Sequence, residues 1–156
     1  MSKSGMTDTQ RAAWASYQRM RVLLAARLNR ELAHKTGLSE ADFEILVALT
    51  ESADDSVRAL ALRCGLAWEK SRLSHQLRRM EERGLVTRAE CLEDNRGSVV
   101  RVTDAGRRLV AEARACHERA VQRYVTEVLT DEQLAALGAI AETVLAQLEE
   151  PHTQIS

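Results

Sequence analysis

The sequence predicts a mainly α-helical chain with one small β-hairpin set between its fourth and fifth helices. Three observations carry this. Apolar residues make up 45% of the 156 positions but aromatics only 3%, so the core must be aliphatic. One proline and seven glycines leave most of the chain without helix breakers. Apolar positions recur at three, four and seven residues almost throughout, and the period changes only between Val86 and Thr103, where short β-branched segments take over.

The elements follow in order. Thr7-Asp8-Thr9-Gln10 has capping-box spacing and opens a helix over about 9–35, with Trp14, Tyr17, Leu24, Leu28 and Leu32 on one side and Gly37 as its stop. Ser39-Glu-Ala-Asp42 opens a second helix that should bury Phe43, Leu46, Val47 and Leu49. Asp54, Asp55 and Ser56 form a polar break, with Ser56 expected to cap a short third helix that buries Leu60 and Leu62 and ends near Cys64-Gly65. A fourth helix starts around Trp68 or Glu69 and stops at Gly84, a residue suited to the left-handed closing conformation. The hairpin uses residues 86–90 and 98–103, and helical pattern returns over about 104–128. Thr130-Asp-Glu-Gln133 then opens the last helix, which carries Leu134, Leu137, Ile140, Val144, Leu145 and Leu148.

Several functional classes find no support. No apolar run approaches the ~18 residues of a membrane span, and the start has no apolar stretch behind its lysine, so a cytoplasmic protein is expected. Cys64, Cys91 and Cys116 are odd in number and widely spaced. His34, His75, His117 and His152 are scattered too, so neither a disulfide framework nor a metal site is expected. Without a nucleophile motif, phosphate loop or paired carboxylates, neither an enzyme nor a cofactor is expected.

Charge is informative once divided along the chain. Residues 58–108 hold 12 Lys/Arg against 7 Asp/Glu, a balance of +5, so the remainder carries −6 of the net −1. A basic middle between acidic ends suits a subdomain that meets phosphate. Within it, the fourth helix gathers Leu73, Leu77 and Met80 into one apolar stripe. Ser71, His75 and Arg78 lie opposite, flanked by Arg72, Ser74 and Arg79, with Lys70 in the first turn. That outer face offers donors and cations in place of alternating Glu and Lys, as a helix reading base edges and phosphates requires. An ordinary basic surface helix is the plainer alternative. The preceding helix and turn complete a helix-turn-helix, and the hairpin stands where a wing would. Its loop sets Asp94 and Arg96 two apart beside Gly97, with Arg88 and Arg101 on the flanking strands, and Arg88, Asp94 and Arg96 are the candidates for DNA contact here. An arginine there can enter a narrow minor groove, oriented by the carboxylate; a loop salt bridge with no outside contact reads equally well.

Residues 57–88, followed by Glu93-Asp-Asn-Arg-Gly97 and Val102-Thr-Asp-Ala-Gly106, resemble the MarR family of regulators, as does the Gly-Leu-Ser at 37–39. The resemblance implies a single MarR-like domain over 1–156, with a winged helix-turn-helix at about 39–103 and dimerisation helices at about 8–36 and 104–149. It implies a homodimeric regulator of double-stranded DNA, usually a repressor, whose wing is tipped by an arginine matching Arg96. A dimer would place two recognition helices in successive major grooves and favour a roughly palindromic site. Many relatives release DNA when a small aromatic acid or phenol binds; Arg27 and His34 stand where a carboxylate could approach, or are simply solvated. Oxidation of Cys64 or Cys91 would disturb the DNA-reading elements, but inert packing for Cys64 and plain exposure for Cys91 are the simpler readings. The rival from another class is a dimeric protein-interaction module that uses the winged helix without DNA.

Overall fold

The computed structural model describes residues 5–90 and 97–149. Thr7 opens α1 (Asp8–Thr36) through a full capping box: Gln10 N donates to Thr7 Oγ1 at 3.1 Å, and Thr7 N donates to Gln10 Oε1 at 2.8 Å. Gly37, at φ 72°, closes it. Ser39 and Asp42 cap α2 (Glu40–Thr50) in the same reciprocal way, so the Asp does what Glu does in the commoner box. A 3-10 turn (Ala53–Asp55) leads to β1 (Ser56–Arg58), α3 (Ala59–Leu66) and α4 (Lys70–Glu82). The wing strands are β2 (Val86–Glu90) and β3 (Ser98–Val102), and α5 (Asp104–Val121) runs on into a π-helical turn (Gln122–Thr126). The last helix is α6 (Asp131–Glu149).

β1 corrects the sequence reading. The wing is a three-stranded antiparallel sheet in the order β1-β3-β2, not a lone hairpin. Ser56 pairs with Arg101, Val57 with Val100 and Arg58 with Val99, so the ladder claims Ser56 and removes it as a cap. Arg58 stands at the N-cap of α3 with no side-chain cap bond. The helix register then turns Leu62 inward at 2% exposure and leaves Leu60 58% exposed. Residues two apart on a helix lie ~200° from each other, so both could not enter one core face.

Leu46 and Leu49 of α2, Leu62 of α3, Leu77 and Met80 of α4 and Val100 of β3 meet in one aliphatic core. Phe43 and Val47 pack at its margin, while Ile45, absent from the expected set, is fully buried. α5 starts close to Leu85 and to the end of β3. A Cβ on Gly106 would stand 2.3 Å from Leu85 O and 2.8 Å from Val102 Cγ2, so only glycine fits this approach.

The chain forms two compact units, one ending at Glu118 and the other beginning at Arg119. In the second, Thr130 and Gln133 form the predicted capping box of α6, with bonds of 3.0 and 3.1 Å. No helix of the described residues is long and apolar enough to cross a membrane.

Candidate nucleic-acid interface

α3 and α4 are joined by a turn whose geometry is set by backbone bonds. Trp68 N donates to Arg63 O at 3.0 Å and Ala67 N to Cys64 O at 3.2 Å, the paired pattern that closes a helix when the next residue is left-handed. That residue is Ala67, at φ 54°; Gly65, near which the sequence ends the helix, is itself helical, and α3 runs on to Leu66. Trp68 is then drawn into the core at 8% exposure, which fixes where α4 begins. At the far end Gly84, at φ 73°, closes α4 through the same pair of bonds, Leu85 N to Met80 O and Gly84 N to Glu81 O.

Leu73, Leu77 and Met80 are buried as expected, at 3% exposure or less. Lys70, Ser71, Arg72, Ser74, His75, Arg78 and Arg79 are all exposed, so the predicted face exists as one surface. Two of its cations are already oriented. The Arg72 guanidinium stacks 3.8 Å from the centroid of the Trp68 ring. Arg78 Nη2 lies 3.0 Å from His75 Nδ1; since arginine can only donate, that nitrogen accepts and the His75 Nε2–H remains available as a donor. On α2, burial pushes the Glu44 carboxyl above its ordinary range, helped by Glu40 and opposed by Arg72.

Arg88 of β2 has a partner: its Nε donates to Glu81 of α4 and ties the wing base to the helix. Beside this pair lies an open cleft of about 460 Å³ between α3, α4 and the wing strands, whose cations are Arg63, Lys70 and Arg88. The exposed Leu60 lines it. Asp94 and Arg96, with Cys91, lie outside the described residues. Cys64 is exposed, which overturns its expected packing role, and Cys116 is buried.

Other cations of the basic middle serve the fold. Arg101 donates to Asp54 O at 2.9 Å, and Arg107 bridges Asp55 and Asp104, holding the Asp104 carboxyl below its ordinary range. The largest feature missed in the sequence is a buried network around Asp42, itself 3% exposed. Its Oδ1 accepts from Gln76 Nε2 at 2.5 Å, and its Oδ2 accepts from Arg83 Nη1 and from Ser39 N, both at 2.9 Å. Arg83 Nη2 also donates to Gly37 O at 3.1 Å. Only the polar residue at 76 on the inner side of α4 could have signalled it.

An amphipathic helix presented after a tight turn, with a sheet wing at its side, defines a winged helix-turn-helix protein. The sequence profile of the MarR family matches residues 36–97. The fold aligns with the crystal structure of AbsC, a MarR family transcriptional regulator from Streptomyces coelicolor, at TM-score 0.87 and 32% identity, covering 96% of this chain and 100% of that one. Sco3205, a MarR family transcriptional regulator from the same organism solved in complex with DNA, aligns equally well, covering 97% of each chain at 32% identity and TM-score 0.87. An uncharacterized HTH-type transcriptional regulator of Bacillus subtilis, YdgJ, is 26% identical over 106 residues; the match takes in 68% of this chain and 63% of YdgJ. This chain belongs to the MarR family of transcriptional regulators.

Proposed function

We propose that the protein is a sequence-specific regulator that binds double-stranded DNA as a homodimer on a roughly palindromic site and acts as a repressor. The observation that carries this is the outer face of α4, where seven adjacent donors and cations are exposed while every large apolar residue of the helix is buried. Ser71, Ser74 and His75 read the major groove, Arg72 with Arg78 or Arg79 contacts bases or phosphates, and Lys70 holds the backbone. Arg88, at the wing base beside Glu81, contacts DNA as well, and Arg96, with Asp94 two positions before it in the sequence, is the wing residue assigned to the minor groove. The DNA complex of Sco3205, with its similar fold over nearly the whole chain, supports the reading.

Selection of bound duplexes from a random library, at two salt concentrations, tests it. The expected result is a palindromic consensus with half-sites near one helical turn apart, about 10 bp, whose retention falls steeply with salt. A sequence-blind but salt-sensitive outcome would make the protein an architectural binder. No retention at either salt would favour a protein-interaction module. Release by a small aromatic or phenolic effector belongs to the same proposal and is read in the same assay, as loss of the selected duplex when such acids are added.

A further inference from the structure

The recognition helix is held to the core by two kinds of contact that fix different things. Leu73, Leu77 and Met80 fix its distance from α2 and the sheet, but apolar packing is non-directional and tolerates small rotations of the helix about its axis. Hydrogen bonds to a buried carboxylate do not. Gln76 and Arg83 are seven residues apart, so at 1.5 Å per residue they grip α4 at points ~10 Å apart along its length. Both grips end on Asp42. The same carboxylate accepts from Ser39 N, and the second arm of Arg83 reaches Gly37 O, so the connection from α1 to α2 is bound into the network.

We infer that Asp42 is the positioning residue that sets the rotation of α4 relative to the end of α1, and with it the alignment of the base-reading face. The inference rests on the DNA-binding reading above. Gln76 sits on the flank between the buried stripe and the face carrying Ser71 and His75. Loosening its bond lets that face turn while the helix stays packed. Base contacts, which depend on angle, are lost by such a turn; phosphate contacts, made by long flexible cations, largely survive it. Removing one partner from the buried carboxylate also leaves a poorly compensated charge, so the network has little freedom to rearrange.

The test compares affinity for the selected site with affinity for a random duplex at one fixed salt concentration, for wild type, Asp42→Asn, Gln76→Met and Arg83→Met. Gln76→Met and Arg83→Met spare the α2 cap and each leaves Asp42 one of its two side-chain partners, so these variants are expected to fold where Asp42→Asn does not. Circular dichroism and the urea midpoint register any purely structural loss. The expected result is a tenfold or greater fall in the ratio of specific to random binding for both, with random binding within about threefold of wild type. Arg83→Lys, which keeps one charged donor, should recover part of the ratio. Ratios unchanged within twofold, whatever happens to the urea midpoint, would overturn the inference and leave the network a stabilising feature only. A wild-type protein with no preference for any site would overturn the DNA-reading proposal instead, and this inference with it.

Discussion

Arg72 is constrained before any ligand arrives. An arginine side chain carries ~2 kcal/mol of rotamer entropy, which a base contact must otherwise overcome, and stacking on an indole contributes ~0.5–1 kcal/mol at an exposed site. With its Cζ 3.8 Å from the centroid of the Trp68 ring, the guanidinium spends no N–H on a hydrogen bond in this contact, and a fork of two donors can serve guanine N7 and O6. Arg72→Ala should therefore cost ~1–3 kcal/mol of site affinity and relax the preference at one position per half-site. Arg72→Lys keeps the charge but loses the planar fork, so it should lose the same preference while affinity for random DNA stays near wild type. Selection repeated with both variants checks this; a lysine variant that retains the full consensus would make Arg72 a phosphate contact. The charge tally alone could not single out this residue. Arg83, Arg88, Arg101 and Arg107 counted equally in the basic middle, yet each is engaged by an acid or carbonyl of the fold.

Elements whose signals are local were legible in the sequence. The capping boxes at Thr7, Ser39 and Thr130, the glycine stops at 37 and 84 and the apolar stripe of α4 each depend on residues within two turns of one another. β1 was not legible, because three residues carry no period and the strand exists only through β3. Neither was the Asp42 network, whose side-chain partners lie 34 and 41 positions away. The left-handed Ala67 was not legible because alanine has no local preference for that conformation, while burial of Trp68 decides where the turn falls. The approach of α5 to Leu85 and the end of β3 is likewise invisible locally, and it gives a direct prediction. Gly106→Ala places a methyl 2.3 Å from the Leu85 carbonyl oxygen, and backbone must shift to admit it. Overpacking of this kind costs ~1–3 kcal/mol, which outweighs the ~0.5–1 kcal/mol by which Ala is favoured over Gly in a helix. The urea midpoint should fall; a rise would mean that α5 can slide away from the sheet freely.

Over the whole molecule, two helices keep apolar faces that their own unit does not cover. On α1, Trp14 and Tyr17 pair at 5.4 Å between ring centroids yet stay about half exposed. On α6, Ile140, Val144 and Leu148 recur every four residues at 53–72% exposure. Soluble proteins rarely leave contiguous surfaces of this kind to water, and a second copy of the chain is the occupant proposed above. The proposed dimer would also set the electrostatics of binding. If each protomer neutralises about four phosphates, a dimer on its full site releases counterions with a log–log salt slope near −7, and a monomer on one half-site near −3.6. Ile140→Asp together with Val144→Asp would place two carboxylates on the α6 face without touching the winged helix. The variant should sediment as a monomer at micromolar concentration, keep the helical circular dichroism of wild type and bind with roughly half the salt slope. A variant that still sediments as a dimer would show that α6 is not the face that closes it. A monomer with the full slope would show that one winged helix makes all the phosphate contacts, and the palindromic site would lose its physical basis.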